Sequence, residues 1–180
     1  MKIHYRYVTI SFLQYFPKLK IKKKFDVIFE CDAINSGRMR TDMKVRMLEP
    51  DPFEYELATD ELGFHGGDGS APTPLMLFSG GLAACLMTQL RAFSKRLKLD
   101  VGEIKLATRL HWQGHQKGRE PYVTEPVSFE IDIDMAGSAS TQERIKLIEA
   151  AKKGCFVERT LMRPNIVGHR LRVDNDWVQV

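Results

Sequence analysis

The sequence predicts an α+β fold, and three observations lead to it. Segments with the two-residue alternation of strands come in groups, one before residue 61 and one between 101 and 135. Only two long stretches, residues 71–100 and 140–155, carry helical spacing, too few for the strand-helix alternation of a wound parallel sheet. The first of those stretches is apolar on nearly every side over 75–87, so it must be buried against the strands. At 180 residues the chain is expected to form one domain with a core of its own.

Residues 1–24 are expected to be a basic extension to a domain spanning 25–180. Ile3, Tyr5, Tyr7 and Thr9 alternate as in a strand, and Pro17 ends the apolar run. Lys18, Lys20, Lys22, Lys23 and Lys24 then form a block of like charge, which favours a solvated segment over a phosphate or membrane site. These five lysines account for the net charge of +4. The remainder is near neutral, which argues against nucleic-acid binding. No small-residue cleavage site marks a signal peptide, and no fully apolar run reaches the roughly 18 residues of a membrane span. Three cysteines without close spacing do not make a secreted disulfide framework, so a reducing cytoplasm is the expected setting.

From Phe25 the pattern is β. Phe25, Val27, Phe29 and Cys31 alternate on one face of a first strand, which makes Cys31 a packed strand residue. Asn35, Ser36 and Gly37 read as a turn, 39–48 as its partner strand and 52–61 as a third. Residues 63–74 are a glycine-rich loop that lacks the lysine and hydroxyl residue of a phosphate-binding loop. His65 within it is either a base near a site or simply solvated.

Pro72 and Pro74 set the start of the long helix, and beyond Thr88 it turns amphipathic, with Leu90, Phe93 and Leu97 opposed to Arg91, Lys95 and Arg96. Two strands follow, at 101–113 and 125–135, the second placing Phe129, Ile131 and Ile133 opposite Glu130, Asp132 and Asp134. His111 and His115 have the spacing of helical metal ligands, but in a strand they stand more than ~12 Å apart, so zinc is not expected. Ser140 and Glu143 form a capping-box signature ahead of a stripe of Ile145, Ile148 and Ala151 that leads to Cys155. The last segment, 165–180, is a strand or edge hairpin.

A lone cysteine usually fills a core as a small hydrophobe. Two of them, Cys85 in the apolar helix and Cys155 at the end of the second, supply what a redox site needs: one thiolate to attack and one thiol to resolve. The words around them are more specific. GGDGSAPTPLMLFSGGLAACLMTQL at 66–90, followed about seventy residues later by AAKKGCFVERTL at 150–161, resembles the OsmC/Ohr family of osmotically inducible and organic hydroperoxide resistance proteins. The resemblance runs from about Phe25 to the C-terminus.

It implies antiparallel sheets around two central helices in an intertwined homodimer. It also implies that Cys85 attacks a hydroperoxide and that Cys155 then closes a disulfide with it. A dithiol reductant would restore both thiols, and no cofactor or metal is called for. Family members place an arginine from an N-terminal hairpin beside the first cysteine, so Arg38 or Arg40 is the expected cation, with Arg46 as a third candidate. A thiol in the middle of a buried helix lies beyond the reach of the helix dipole and needs such a cation to react. The chain departs from the family at two points. Leu75 stands where peroxidase members carry a glutamate, and Phe156 where a proline follows the second cysteine. The expected function is therefore a cysteine-based thiol peroxidase acting on a small apolar hydroperoxide. The alternative is a redox sensor or a small-ligand binder without rapid turnover.

Overall fold

The computed structural model describes residues 24–180. The basic extension, apart from Lys24, lies outside the described residues.

Three strands, β1 (Ile28–Asn35), β2 (Thr41–Glu49) and β3 (Phe53–Thr59), form an antiparallel meander in that order. Its first turn is the expected Asn-Ser-Gly turn, closed by the Ser36 N–H and the Asn35 side-chain amide, each donating to the Arg40 carbonyl at 3.0 Å. A single 3-10 turn at Gly63–His65 opens the glycine-rich loop. Gly67 is required there, because a Cβ would lie 1.9 Å from the Glu61 carbonyl oxygen. Buried Asp60 ties the loop back: it accepts from the Ser70 N–H at 2.9 Å and the Ser70 hydroxyl at 2.8 Å. These Ser70 bonds hold the Asp60 carboxyl below the usual carboxylate range.

Helix α1 (Pro74–Leu97) starts as the prolines predict, with Thr73 accepting from the Met76 N–H and Pro74 in the first turn. It stops at Lys98, which adopts a left-handed conformation. The long hairpin β4 (Ile104–His115) and β5 (Val123–Met135) follows, with the expected alternation of half-buried and exposed residues. Its register slips between His111 and Trp112, opposite Pro126, which has no N–H to give the ladder. Helix α2 (Thr141–Gly154) carries the full capping box of Ser140 and Glu143. A short helix not foreseen in the sequence, α3 (Phe156–Leu161), comes directly after Cys155. The chain closes with a hairpin of β6 (Arg170–Val173) and β7 (Asp176–Gln179).

The core lies between α1, α2 and the β4–β5 hairpin. Leu86 and Leu90 of α1 meet Val101, Met135, Leu147, Ala151 and Cys155. On α2 the buried stripe is Leu147–Ala151, continued to Cys155 at four-residue spacing, while Ile145 of the expected stripe is half-exposed. Phe78, Trp112 and Phe129 pack edge-on, with centroids 4.9–6.3 Å apart, and fix the start of α1 on the hairpin. The Ser79 and Thr108 hydroxyls share a hydrogen bond at 3.1 Å beside them.

Two expectations about packing need correction. Helix α1 buries only the stripe Leu82, Leu86, Leu90 and Ser94, whereas Leu75 and Met76 are 54% and 57% exposed. One chain covers one side of this helix, because its buried residues form that single stripe, and the elements packed broadly on it are α2, α3 and β4. By length and composition α1 is long and apolar enough to cross a membrane, which the interrupted apolar run did not suggest; its buried stripe instead joins the protein core. The β1–β2–β3 sheet likewise has no broad contact with the helices. Cys31 is therefore exposed rather than packed, and Phe29 and Phe53 are 60% and 63% exposed.

Candidate active site

Cys85 sits on α1 one residue before the buried Leu86, so its thiol emerges at the border of the core rather than inside it. Cys155 lies at the junction of α2 and α3 and is fully buried. The approach of the two helices depends on Gly154, whose missing side chain leaves room for the Phe93 ring of α1. A Cβ at that position would be 2.7 Å from the ring. Gly81 and Ala84, beside Cys85, are the small residues from which the sequence would lead one to expect this approach, but Gly81 faces open space and Ala84 is exposed.

The two thiols come together as a result. Cys85 packs against the core cluster that contains Cys155, near enough for its sulfur to act on the Cys155 thiol. Burial pushes the Cys155 thiol up to about 11; the Glu158 N–H, which donates to Cys155 Sγ at 3.5 Å, works against this, and the Cys85 sulfur adds to it. Cys155 is thus a protonated thiol at neutral pH, and Cys85 is the sulfur that faces open space. Both are reduced.

Cys85 opens into a cavity of about 800 Å3. Val27, Phe29, Phe78, Phe156, Val157 and Leu161 make most of its wall, with Thr88, Gln89 and Thr160 as polar points. Phe25 and Phe156 pack edge-on with centroids 6.5 Å apart, which draws the start of β1 over the site. Phe156 thus both lines the cavity and packs against the segment that leads into β1. A smaller cleft of about 330 Å3 reaches Cys155 from another side, past Lys153, Arg159 and Arg163.

The expected arginines are placed elsewhere within the chain. Arg40 donates from Nε to Asp42 Oδ1 at 3.0 Å and from Nη1 to Ser70 Oγ at 2.9 Å, joining the Asp60 network. Arg38 pairs with Asp68 at 3.6 Å, and Arg46 with Asp32 at 2.6 Å. None of the three lines the Cys85 cavity. The hairpin turn is instead tied to the loop that leads into the start of α1, where Leu75 also lies.

Leu75 borders a second hollow of about 380 Å3, together with Phe64, His65 and Tyr122. His65 is not simply solvated. Its Nδ1 is 3.3 Å from a Glu61 carboxylate oxygen and its Nε2 is 3.1 Å from the Tyr122 hydroxyl. Neither Glu61 nor Tyr122 was singled out in the sequence; the contact with Tyr122 is hidden by a separation of 57 positions, whereas Glu61 is only four residues from His65. Glu158 was also missed, although its spacing from Cys155 is that of a capping box. Among the described residues no group of three or more His, Cys, Asp or Glu is placed to hold a metal ion.

Comparison with known proteins agrees with this architecture. An OsmC-like hydroperoxide resistance protein from Jannaschia sp. CCS1 is 42% identical, with 86% of this chain and 98% of that chain covered and a TM-score of 0.60. An organic hydroperoxide resistance protein from Elizabethkingia anophelis is 21% identical, covering 77% and 89%, with a TM-score of 0.51. An OsmC-like protein from Mycoplasma pneumoniae is 15% identical, covering 79% and 89%, with a TM-score of 0.52. These last two likenesses speak for the fold alone. No curated protein matches the chain. The sequence model described as OsmC-like protein matches residues 67–169, the stretch that holds α1, both thiols of the pair and the hairpin between them. By that match and by its identity to the Jannaschia protein, the chain belongs to the OsmC-like family.

Proposed function

We propose that the chain is a thiol peroxidase for organic hydroperoxides, acting through Cys85 and Cys155 in a reducing cytoplasm. The observation that carries this reading is the contact between a cavity-facing thiol and a buried, protonated one at the wall of a mostly apolar cavity. The Cys85 thiolate attacks the terminal oxygen of the hydroperoxide, the O–O bond breaks, and the alcohol leaves with a proton. Cys85 is then a sulfenic acid. The Cys155 thiol attacks that sulfur, water departs, and a Cys85–Cys155 disulfide remains. A dithiol reductant returns both sulfurs to the thiol state by exchange. The apolar wall favours an organic hydroperoxide over hydrogen peroxide.

An intertwined homodimer supports the same chemistry. Leu75 lies roughly 15 Å along α1 from Cys85, at 1.5 Å per residue, and the Arg38–Arg40 turn is tied to the loop at that same end. Their helix end is remote from their own cysteine. Arg38 or Arg40 from a second copy of the chain is therefore our choice for the cation beside Cys85. The exposed faces of α1 and of the β1–β2–β3 sheet are the surfaces such a copy would cover.

Leu75 favours a second reading, a redox sensor with slow turnover, because no carboxylate is present to orient the arginine. Hydroperoxide consumption with a dithiol reductant separates the two. A thiol peroxidase turns over cumene hydroperoxide and loses two mass units on stoichiometric oxidation, with one peptide linking Cys85 to Cys155. In Cys155→Ser the expected product is a Cys85 sulfenic acid, trapped by dimedone. Consumption no faster than in Cys85→Ser would remove the peroxidase reading.

A further inference from the structure

We propose that Glu158 is the base that takes the proton from Cys155 as that sulfur attacks the oxidised Cys85. This rests on the reading of the two cysteines as a redox pair. Its starting point is a carboxylate that has lost its ordinary structural role. Cys155 caps the N-terminus of α3, and Glu158 stands at the third helical position, where a capping-box glutamate reaches back to the N–H of the cap residue. That N–H is already taken: as the C-cap of α2, Cys155 donates it to the Ala151 carbonyl at 2.8 Å. The Glu158 carboxylate has no capping bond to make. Its Oε2 is buried without a hydrogen-bond partner, an arrangement that native structures rarely leave unused.

The neighbourhood suits a proton acceptor. Burial raises the Glu158 carboxyl above the ordinary range, with Lys152 of α2 opposing this and Glu149 of α2 adding to it. Its charge acts on the Cys155 thiol, which in turn meets the Cys85 sulfur of α1. Arg159, the next residue of α3, lines the basic cleft at Cys155. A thiol pushed up to about 11 has almost no thiolate at neutral pH, so resolution requires that its proton be removed during attack. Glu158 serves both halves of that step. Its backbone N–H steadies the sulfur as charge develops, and its carboxylate takes the proton. The Cys155 electron pair forms the S–S bond, the S–O bond of the sulfenic acid breaks, and the departing hydroxide recovers the proton as water.

The test uses a leaving group that needs no peroxide. In full-length protein carrying Cys31→Ser, Cys85 is loaded with thionitrobenzoate from Ellman's reagent. Attack by Cys155 then releases a second thionitrobenzoate, read by absorbance. The expected release rate near pH 7 is about a hundredfold lower in Glu158→Gln, the lower end of general-base contributions. The rate in the parent protein should fall at acid pH as a carboxylate protonates, a limb that Glu158→Gln lacks. Glu158→Asp, with the carboxylate drawn back by one methylene, should lose severalfold. Equal rates and equal pH profiles in folded variants overturn the proposal. Should the variants not fold, a parent profile without the carboxylate limb overturns it equally. Hydroperoxide consumption is measured separately, so Glu158-dependent release in a protein that consumes none would refute the peroxidase reading and leave this inference standing.

Discussion

The thiol pair shows how far single residues can be read from sequence. Cys85 and Cys155 could be singled out because each sat in a recognisable phrase, but their unequal environments follow from packing that no phrase records. The raised Cys155 thiol makes the protein lose stability in alkali. In the unfolded chain a thiol ionises near about 8.5, whereas folded Cys155 holds its proton up to about 11. The native state therefore binds more protons between those values, and the contribution, full below the lower one, is lost as pH rises through that window. Urea midpoints measured from pH 8 to 11 should fall more steeply in the parent than in Cys155→Ala. Leu75 carries the second prediction at this scale. Leu75→Glu should raise hydroperoxide turnover about tenfold, the worth of one charge-assisted hydrogen bond of about 1.5 kcal/mol to the arginine. Unchanged turnover in a stably folded Leu75→Glu protein would mean that the arginine takes its orientation from another group.

At the scale of elements, the strands and the two long helices were legible because their apolar residues repeat at two and at three to four, and because capping residues mark the starts of the helices. What stayed hidden was the break at Cys155. A helix that continued through Phe156 would have carried the following residues on in the same direction as α2. The change to an extended backbone at Cys155 starts α3 on a new course and puts Phe156 and Leu161 on the cavity wall. The contact that fixes this corner is Gly154 against Phe93. At an ordinary helical site glycine to alanine stabilises by up to about 1 kcal/mol. Here Gly154→Ala forces the aromatic ring aside, and overpacking of this kind costs about 1–3 kcal/mol. The expected result is a lower melting temperature and slower disulfide formation, both restored in part by Phe93→Leu. A stabilised Gly154→Ala protein would show that the corner yields without strain.

For the whole molecule, the sequence pointed to an α1 buried on all sides, whereas one chain supplies a cover for only one of them. The misreading has a physical origin, since apolar composition shows that a surface avoids water and does not say which molecule covers it. The uncovered surfaces are large. Leu75 and Met76 on α1, Phe29 and Phe53 on the first sheet and Trp177 on the last hairpin are each more than half exposed. A side chain of this size gains about 1.5–3 kcal/mol on full burial, so a handful of them is enough to hold two chains together against the entropy of association. They also lie on three separate parts of the fold, and two of these, the first sheet and the last hairpin, do not pack broadly on the core. A second copy that covered them all would have to reach around α1 and not merely rest against one face. The expected outcome is a dimer at micromolar concentration by light scattering, with unfolding that depends on protein concentration. Replacing Phe29 and Phe53 together by serine tests the cause, because neither stands in the buried core of the single chain. That variant should dissociate and melt at a lower temperature, and a stable, fully folded monomer in the parent protein would show that these faces serve some other contact.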